Sequence, residues 1–495
     1  MNISRRDLLK LAGSASLLPL ACRRQSVPDG SVVLNDIHSK LNPTLVSKLV
    51  RPVDLDGLKE TVRIAADQSQ YLSVAGGRHA MGGQQFGTDT QNLDLRSLNR
   101  VLRFDPVDGL IEVESGIEWP KLIEWCVAKQ KGSQTQWGIR QKQTGADRLT
   151  LGGALAANAH GRGLALQPIV GDIDSFTLID ADGALKRCSR TENRELFSLA
   201  IGGYGLFGVV YSIQLRLAPR LKLERVVEIR SIDGIVDAFE QRIADGFLFG
   251  DFQFKTDETA ADYLTAGVFS CYRPVADATP VPRRQKRLKA RDWRRMLNLA
   301  HHDKARTYDL YTRYYMTTAG QIYWSDEHQL AYYLDDYHVA LDKKADSQVP
   351  ATEMISEVYV PRDRLTEFMH ETAAVFRSEG VNVIYGTVRM IEPDDVTFLP
   401  WARQRWACIV VNLHVEHSDA GIDRAKREFR TLIDLAMGHG GSFFLTYHRW
   451  ATREQVENCY PEMSGFLAKK IQWDPNERFQ SDWYRHLKKQ FSICS

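Results

Sequence analysis

The sequence predicts an α+β fold in two units, and three observations carry that prediction. Three glycine-rich blocks sit beside short alternating segments in its first 220 residues. The segments before and after the first block run helix, strand, glycine turn, strand, strand, which is not the strand–GxGxxG–helix order of a dinucleotide-binding βαβ unit. From about Lys222 the texture changes: Tyr, Trp and His become frequent and long charged helical stretches appear.

Residues 47–69 read as an amphipathic helix, with Val62, Ile64, Ala65 and Ala66 supplying its apolar positions. Residues 72–75 form a short β-like run that enters the first glycine block, and 92–95 and 111–115 alternate as strands do. Residues 174–180, the turn Ala181-Asp182-Gly183 and residues 185–188 read as strand–turn–strand. The third block leads into 209–217, another alternating strand. At 495 residues the chain is too long for one small core, and two or three units are expected.

Composition narrows the class. Hydrophobic residues at 43% and charged residues at 25% fit a soluble globular protein, and a net charge of +2 excludes the strongly basic face of a nucleic-acid binder. Seven scattered cysteines include no CxxC pair and no Cys/His spacing for a metal, so no metal site is expected. Beyond the first few dozen residues no apolar run reaches about 18, the length a membrane span needs. Residues 1–24 read as an export signal of twin-arginine type, with Arg5 and Arg6 ahead of a short apolar stretch. They imply a periplasmic or otherwise exported protein. Cys22 also stands where a lipoprotein would be lipidated and so anchored to the membrane. Residues 283–306 are the most basic segment, with only Asp292 and Asp303 against its Arg and Lys residues. Two readings stay open for it: a solvated helix face, or peripheral contact with anionic lipid headgroups.

The glycine blocks carry the chemistry. Ala75-Gly76-Gly77-Arg78-His79-Ala80-Met81-Gly82-Gly83-Gln84 is a turn whose amides can converge on an anion such as a pyrophosphate, because small residues let a ligand reach the main chain. A histidine inside that nest could attack an electrophilic carbon of a bound group. The second block, residues 149–163, is apolar and small enough to lie flat against a ring system, or else is a tightly packed helix start.

These blocks together resemble the vanillyl-alcohol oxidase superfamily of FAD-binding flavoproteins (PCMH type), nearest to its aldonolactone and alditol oxidase-like branch. The resemblance covers roughly residues 41–219. It implies FAD as cofactor, held by Gly76, Gly77, Arg78, His79, Ala80, Met81, Gly82, Gly83 and Gln84, by Gly152, Gly153, Ala156, Asn158, Ala159, His160 and Gly161, and by Gly203, Gly208 and Val209. In many relatives the histidine at the place of His79 is bonded to the flavin. Here Arg78 and Ala80 flank it in place of the family's Gly-His-Ser, so a hydrogen-bonding role stays open. Ala159 stands where relatives carry a small residue near the flavin carbon that reacts with oxygen.

In the C-terminal half, residues 385–389 resemble the family's Glu-x-Arg segment, with Arg389 at the arginine and Thr387 in place of the acid. Residues 447–450 resemble its Pro-His-Trp-Gly-Lys segment, and Asp474-Pro475 with Phe479 its closing element. The resemblance implies a two-domain organisation. An FAD-binding domain of residues 30–220 is joined by 451–495, and residues 221–450 form an antiparallel-sheet substrate (cap) domain. It implies oxidation of a CH–OH group in a sugar, polyol or aldonolactone-like small molecule, with oxygen or a membrane or periplasmic carrier taking the electrons. Arg389 would stabilise the reduced ring, and His448, with Tyr447 as rival, would take the hydroxyl proton. Structural readings stay open for Arg389 and His448. A flavin-dependent reductase of a carbon–carbon double bond and a non-catalytic flavin-loaded binding or electron-relay protein are the alternatives.

Overall fold

The computed structural model describes residues 30–492, apart from 332, 333, 335, 336 and 345. The export signal and Cys22 lie outside them. The fold is α+β. Near the N-terminus, strands Lys48–Val50, Gln91–Asp94 and Leu72–Ala75 form a parallel sheet with Gln91–Asp94 in the centre. The helix expected over 47–69 spans Leu55–Asp67 instead. Pro52 biases Arg51 toward extended backbone, and Asp54 caps the helix by accepting from the Gly57 amide at 2.8 Å. Residues 478–480 close this sheet's free edge: Leu72 donates to the Arg478 carbonyl and accepts from the Gln480 amide, both at 2.7 Å.

Beside it lies an antiparallel sheet in the order Leu185–Ser189, Ile173–Ile179, Val209–Arg216, Leu110–Glu114, Val101–Asp105. Its first pair is the expected hairpin, with Leu185 opposite Ile179 and Ser189 opposite Ser175.

From Lys222 onward an eight-stranded antiparallel sheet dominates. Its order is Ile322–Trp324, Lys222–Ser231, Ala266–Pro274, Phe249–Phe254, Val383–Ile391, Trp406–Glu416, Ala351–Pro361 and Ser442–Phe443. Register decides what this sheet presents. Thr387 pairs with Val410, which pairs with Glu357; one step along, Arg389 pairs with Cys408, which pairs with Tyr359. Phe252 opposes Val388, so Asp251 and Gln253 share the face that carries Thr387 and Arg389. That face looks toward the glycine blocks.

The basic segment proves to be two things. Its C-terminal part forms helix Ala290–His302 and the start of helix Lys304–Met316. Residues 283–288 run along a large cavity between the sheets, and neither sequence reading anticipated that position. The five described cysteines, Cys126, Cys188, Cys271, Cys408 and Cys459, are free and buried. Among the described residues no helix is long and apolar enough to cross a membrane.

One buried carboxylate gives the fold a pH signature. Glu428 lies on helix Asp419–Gly438, and burial, with Glu379 nearby, pushes its carboxyl up to about 7. The folded state therefore holds this proton more tightly than the unfolded chain does. Stability from this group is lost as pH rises from the ordinary carboxylate range through about 7. Glu428→Gln is expected to raise the melting temperature at pH 8 and to leave it unchanged at pH 4, as thermal denaturation at the two pH values would show.

Candidate active site

The cavity encloses about 1260 Å³. That exceeds the roughly 300–1,000 Å³ of an ordinary small-molecule pocket, so there is room for a dinucleotide and a substrate together. Its floor on one side is the first two glycine blocks. Gly76 packs so tightly on Thr150 that a Cβ there would sit 2.1 Å from the Thr150 hydroxyl, and one on Gly77 would sit 2.2 Å from the Arg148 carbonyl. Thr150 caps helix Leu151–Ala157, accepting from the Gly153 amide at 3.2 Å. The turn and the helix start thus hold each other. Arg78 adopts a left-handed φ of 61°, which swings the chain so that His79 faces the cavity. The amides of Arg78, His79 and Ala80 donate to no protein acceptor among the described residues. The far side of the turn is tied down by Met81 N to Thr446 O at 3.0 Å and by the Gln84 side chain to Leu445 O at 2.7 Å.

The structure brings most of the predicted residues to this cavity. Gly76, Gly77, Arg78, His79, Ala80, Met81, Gln84, Gly152, Gly153, Ala156, Ala159, Gly208, Arg389 and Tyr447 all line it. Others stand behind the wall. Gly82, Gly83, Gly161 and Gly203 are glycines for packing: a Cβ would meet Tyr447 O at 2.4 Å, Arg449 Nη1 at 2.8 Å, Lys142 O at 2.7 Å and Leu199 O at 2.0 Å. Val209 is core. Asn158 ends helix Leu151–Ala157 in a left-handed conformation and spends its side chain on Asp394 and the Val170 amide. His160 is buried, with Nε2 2.8 Å from Glu357 and Nδ1 3.0 Å from Gly161 O.

His448 does not reach the cavity. It is 3% exposed, its ring lies 4.0 Å from that of Trp450 in a stack, and burial lowers its pKa to about 4. The proposed proton acceptor is therefore misplaced, and Tyr447 is the member of that pair that faces the site.

Two groups escaped the sequence reading. His38 lines the cavity, and its Nε2 lies 2.8 Å from His79 Nδ1. Burial, then the neighbouring His38, drives the His79 pKa well below its usual value, so this ring is neutral. Glu357 is 2% exposed and accepts from Tyr447 at 3.1 Å and from Tyr359 at 2.5 Å besides its contact with His160. Burial works to raise its carboxyl, but His160, Tyr359 and Arg389 outweigh that and hold it below the usual range. The only sequence signal was an acidic residue beside the apolar run Val358-Tyr359-Val360, on a strand that also carries Glu353. Arg389 is 4% exposed, and its Nε and Nη1 have no partner among the described residues.

A cradle of glycines that tolerates no Cβ, amides without acceptors and an orphaned buried guanidinium fit an anionic, planar, phosphate-bearing group. Comparison with known proteins agrees. Residues 46–189 match the FAD binding domain family. The chain is 23% identical over 442 residues to L-gulono-1,4-lactone dehydrogenase of Mycobacterium tuberculosis, covering 89% of this chain and 96% of that protein. It is 23% identical to L-gulonolactone oxidase of Bos taurus over 43% of this chain and 46% of the relative. It is 24% identical to cytokinin dehydrogenase 9 of Oryza sativa over 38% of this chain and 34% of the relative.

If Gly77 is there to let the turn meet Arg148, Gly77→Ala is expected to lower stability by about 1–3 kcal/mol and to reduce the FAD that copurifies. Gly438→Ala, with nothing within 4 Å of its Cβ position, is expected to do neither. Flavin absorbance per protein and thermal denaturation of both variants check this.

Proposed function

We propose that the chain is an FAD-dependent oxidoreductase of the vanillyl-alcohol oxidase type that oxidises a CH–OH group of a sugar, polyol or aldonolactone-like substrate. The observation that carries this reading is the convergence, on one cavity, of the glycine turn, the unpartnered Arg389 and the hydroxyl of Tyr447 backed by Glu357.

Bound FAD supplies the hydride acceptor. The turn 76–84 and helix Leu151–Ala157 would hold it, with the amides of Arg78–Ala80 available to its diphosphate. Arg389, buried and with Nε and Nη1 unpartnered among the described residues, stabilises negative charge that develops in the cavity. The substrate's hydroxyl proton passes to the Tyr447 oxygen while the Tyr447 proton moves to Glu357 Oε2. Burial, then Glu357, pushes the Tyr447 phenol well above its usual pKa, so it acts as a relay and not as a free phenolate. Glu357 thereby positions the relay and receives the proton at its far end. The names of the lactone-oxidising relatives support the substrate class.

His79 is the residue for a covalent link to the flavin, and His38 orients its ring. After acid precipitation, flavin is expected in the pellet for the wild type, in the supernatant for His79→Ala, and divided between them for His38→Ala. Wild-type flavin wholly in the supernatant would leave FAD in place and remove the covalent link.

For the relay, Glu357→Gln and Tyr447→Phe are each expected to slow substrate-dependent bleaching of the flavin by about 10²-fold, with FAD retained. The double variant is expected to be no slower than either single one, since the two groups act as one unit. Because the Glu357 carboxyl is held low, the wild-type bleaching rate is expected to stay level from pH 8 down to pH 5. A wild-type rate that falls with a midpoint near pH 6.5 would point back to a histidine base.

A further inference from the structure

Arg162 lies at the end of the second glycine block, and its carbonyl accepts from the Gly250 amide at 2.9 Å, which fixes it against strand Phe249–Phe254. Its side chain is 10% exposed and lines the cavity. The guanidinium lies over the Tyr272 ring at 4.8 Å and gives Nη2 to the His328 carbonyl at 2.8 Å. Nη1 stays 3.9 Å from Asp251 Oδ2, and Nε has no partner among the described residues. Asp251 is 3% exposed, lines the same cavity and leaves its Oδ1 without a partner among them. A buried donor and a buried acceptor are thus left open side by side.

Charge sharpens the point. Arg225 is close by, bonded through Nε to the Tyr272 hydroxyl at 2.8 Å and through Nη1 to Thr318 at 3.0 Å. Arg389 stands on the strand next to Asp251, on the same face. Burial, then Arg162 and Arg225, drives the His328 pKa well below its usual value and keeps that ring neutral. Arg162, Arg225 and Arg389 therefore share the cavity with Asp251, Glu353 and Glu327, beside Tyr308, Tyr311 and Tyr315. The open donor of Arg162 is a buried polar group that a ligand from outside the protein would satisfy. Arg389 answers the cofactor, and Arg162 is left over.

We propose that Arg162 and Asp251 form a subsite for a hydroxycarboxylate: the carboxylate on Arg162, a neighbouring hydroxyl donated to Asp251 Oδ1. This rests on the CH–OH oxidation reading and specifies it, because the substrate is then an open-chain sugar acid and not its neutral lactone. A planar carboxylate matches the guanidinium fork. A phosphate dianion would set more negative charge against Asp251 with fewer donors to meet it. Arg283, Arg284, Lys286 and Arg287 along the cavity attract an anion toward it.

The test uses full-length, FAD-loaded protein and two probes with one carbon skeleton, L-gulonate and L-gulono-1,4-lactone. Calorimetric titration is expected to show gulonate binding roughly 10- to 100-fold tighter than the lactone, the effect of one charge-assisted hydrogen-bonded pair. Arg162→Gln is expected to erase that preference and leave lactone binding unchanged. If that variant does not fold, the wild-type preference decides, together with its decline as salt is raised from 20 to 500 mM. Equal or tighter binding of the lactone, no binding of gulonate, or equal losses for both probes in Arg162→Gln overturns the subsite. Gulonate that binds with the predicted preference but leaves the flavin unbleached upholds the subsite and sinks the oxidation reading instead.

Discussion

The contact of Gly76 and Gly77 with Arg148 and Thr150 is the constraint on which the site depends. Gly77 meets the Arg148 backbone and Gly76 the Thr150 side chain there because two side chains are missing. From that contact follow the cap of helix Leu151–Ala157, the left-handed turn at Arg78 and the aim of His79 into the cavity. The same turn is stitched by Gln84 and Met81 to residues 445–447, which brings Tyr447 within reach of the nest. A single side chain at 76 or 77 would move the cofactor floor and the proton relay together.

The second half of the site comes from one face of one sheet. Alternation along Phe249–Phe254, Val383–Ile391, Trp406–Glu416 and Ala351–Pro361 places Asp251, Arg389, Cys408 and Glu357 on a common side. Strand spacing of about 4.8 Å then sets the separation of their chemistries. Slipping any one strand by a residue would send its functional groups into the opposite layer. The long register of Ala351–Pro361 against Trp406–Glu416 guards against that slip.

What the sequence made legible was local. Glycine turns and the 174–188 hairpin are patterns within a few residues of one another, and each lies where its pattern says. What stayed hidden needed distance. His448 and Tyr447 are neighbours in sequence, and only the fold shows that one stacks on Trp450 while the other faces the cavity. Asn158 and His160 sit in a segment of the right composition, but they turn away because Asp394 and Glu357 receive them. The charges of residues 283–288 are exposed, and nothing nearby in sequence reveals the cavity beside them.

Thr387 marks where the acid of the Glu-x-Arg pattern is absent, and the sheet suggests what has taken its place. Glu357 lies in register with Thr387, two strands away, or about 10 Å across the sheet. At that range a carboxylate cannot touch a substrate held near Arg389, and the hydroxyl of Tyr447 bridges part of the gap. Moving the acid back also separates the charges. The carboxylate lies on the flank of Ala351–Pro361, where His160 contacts it, while Arg162, Arg225 and Arg389 gather on the other flank with Asp251. A substrate that carries both an anion and a hydroxyl is then oriented by the field of the site, its anion toward Arg162 and its reacting hydroxyl toward Tyr447.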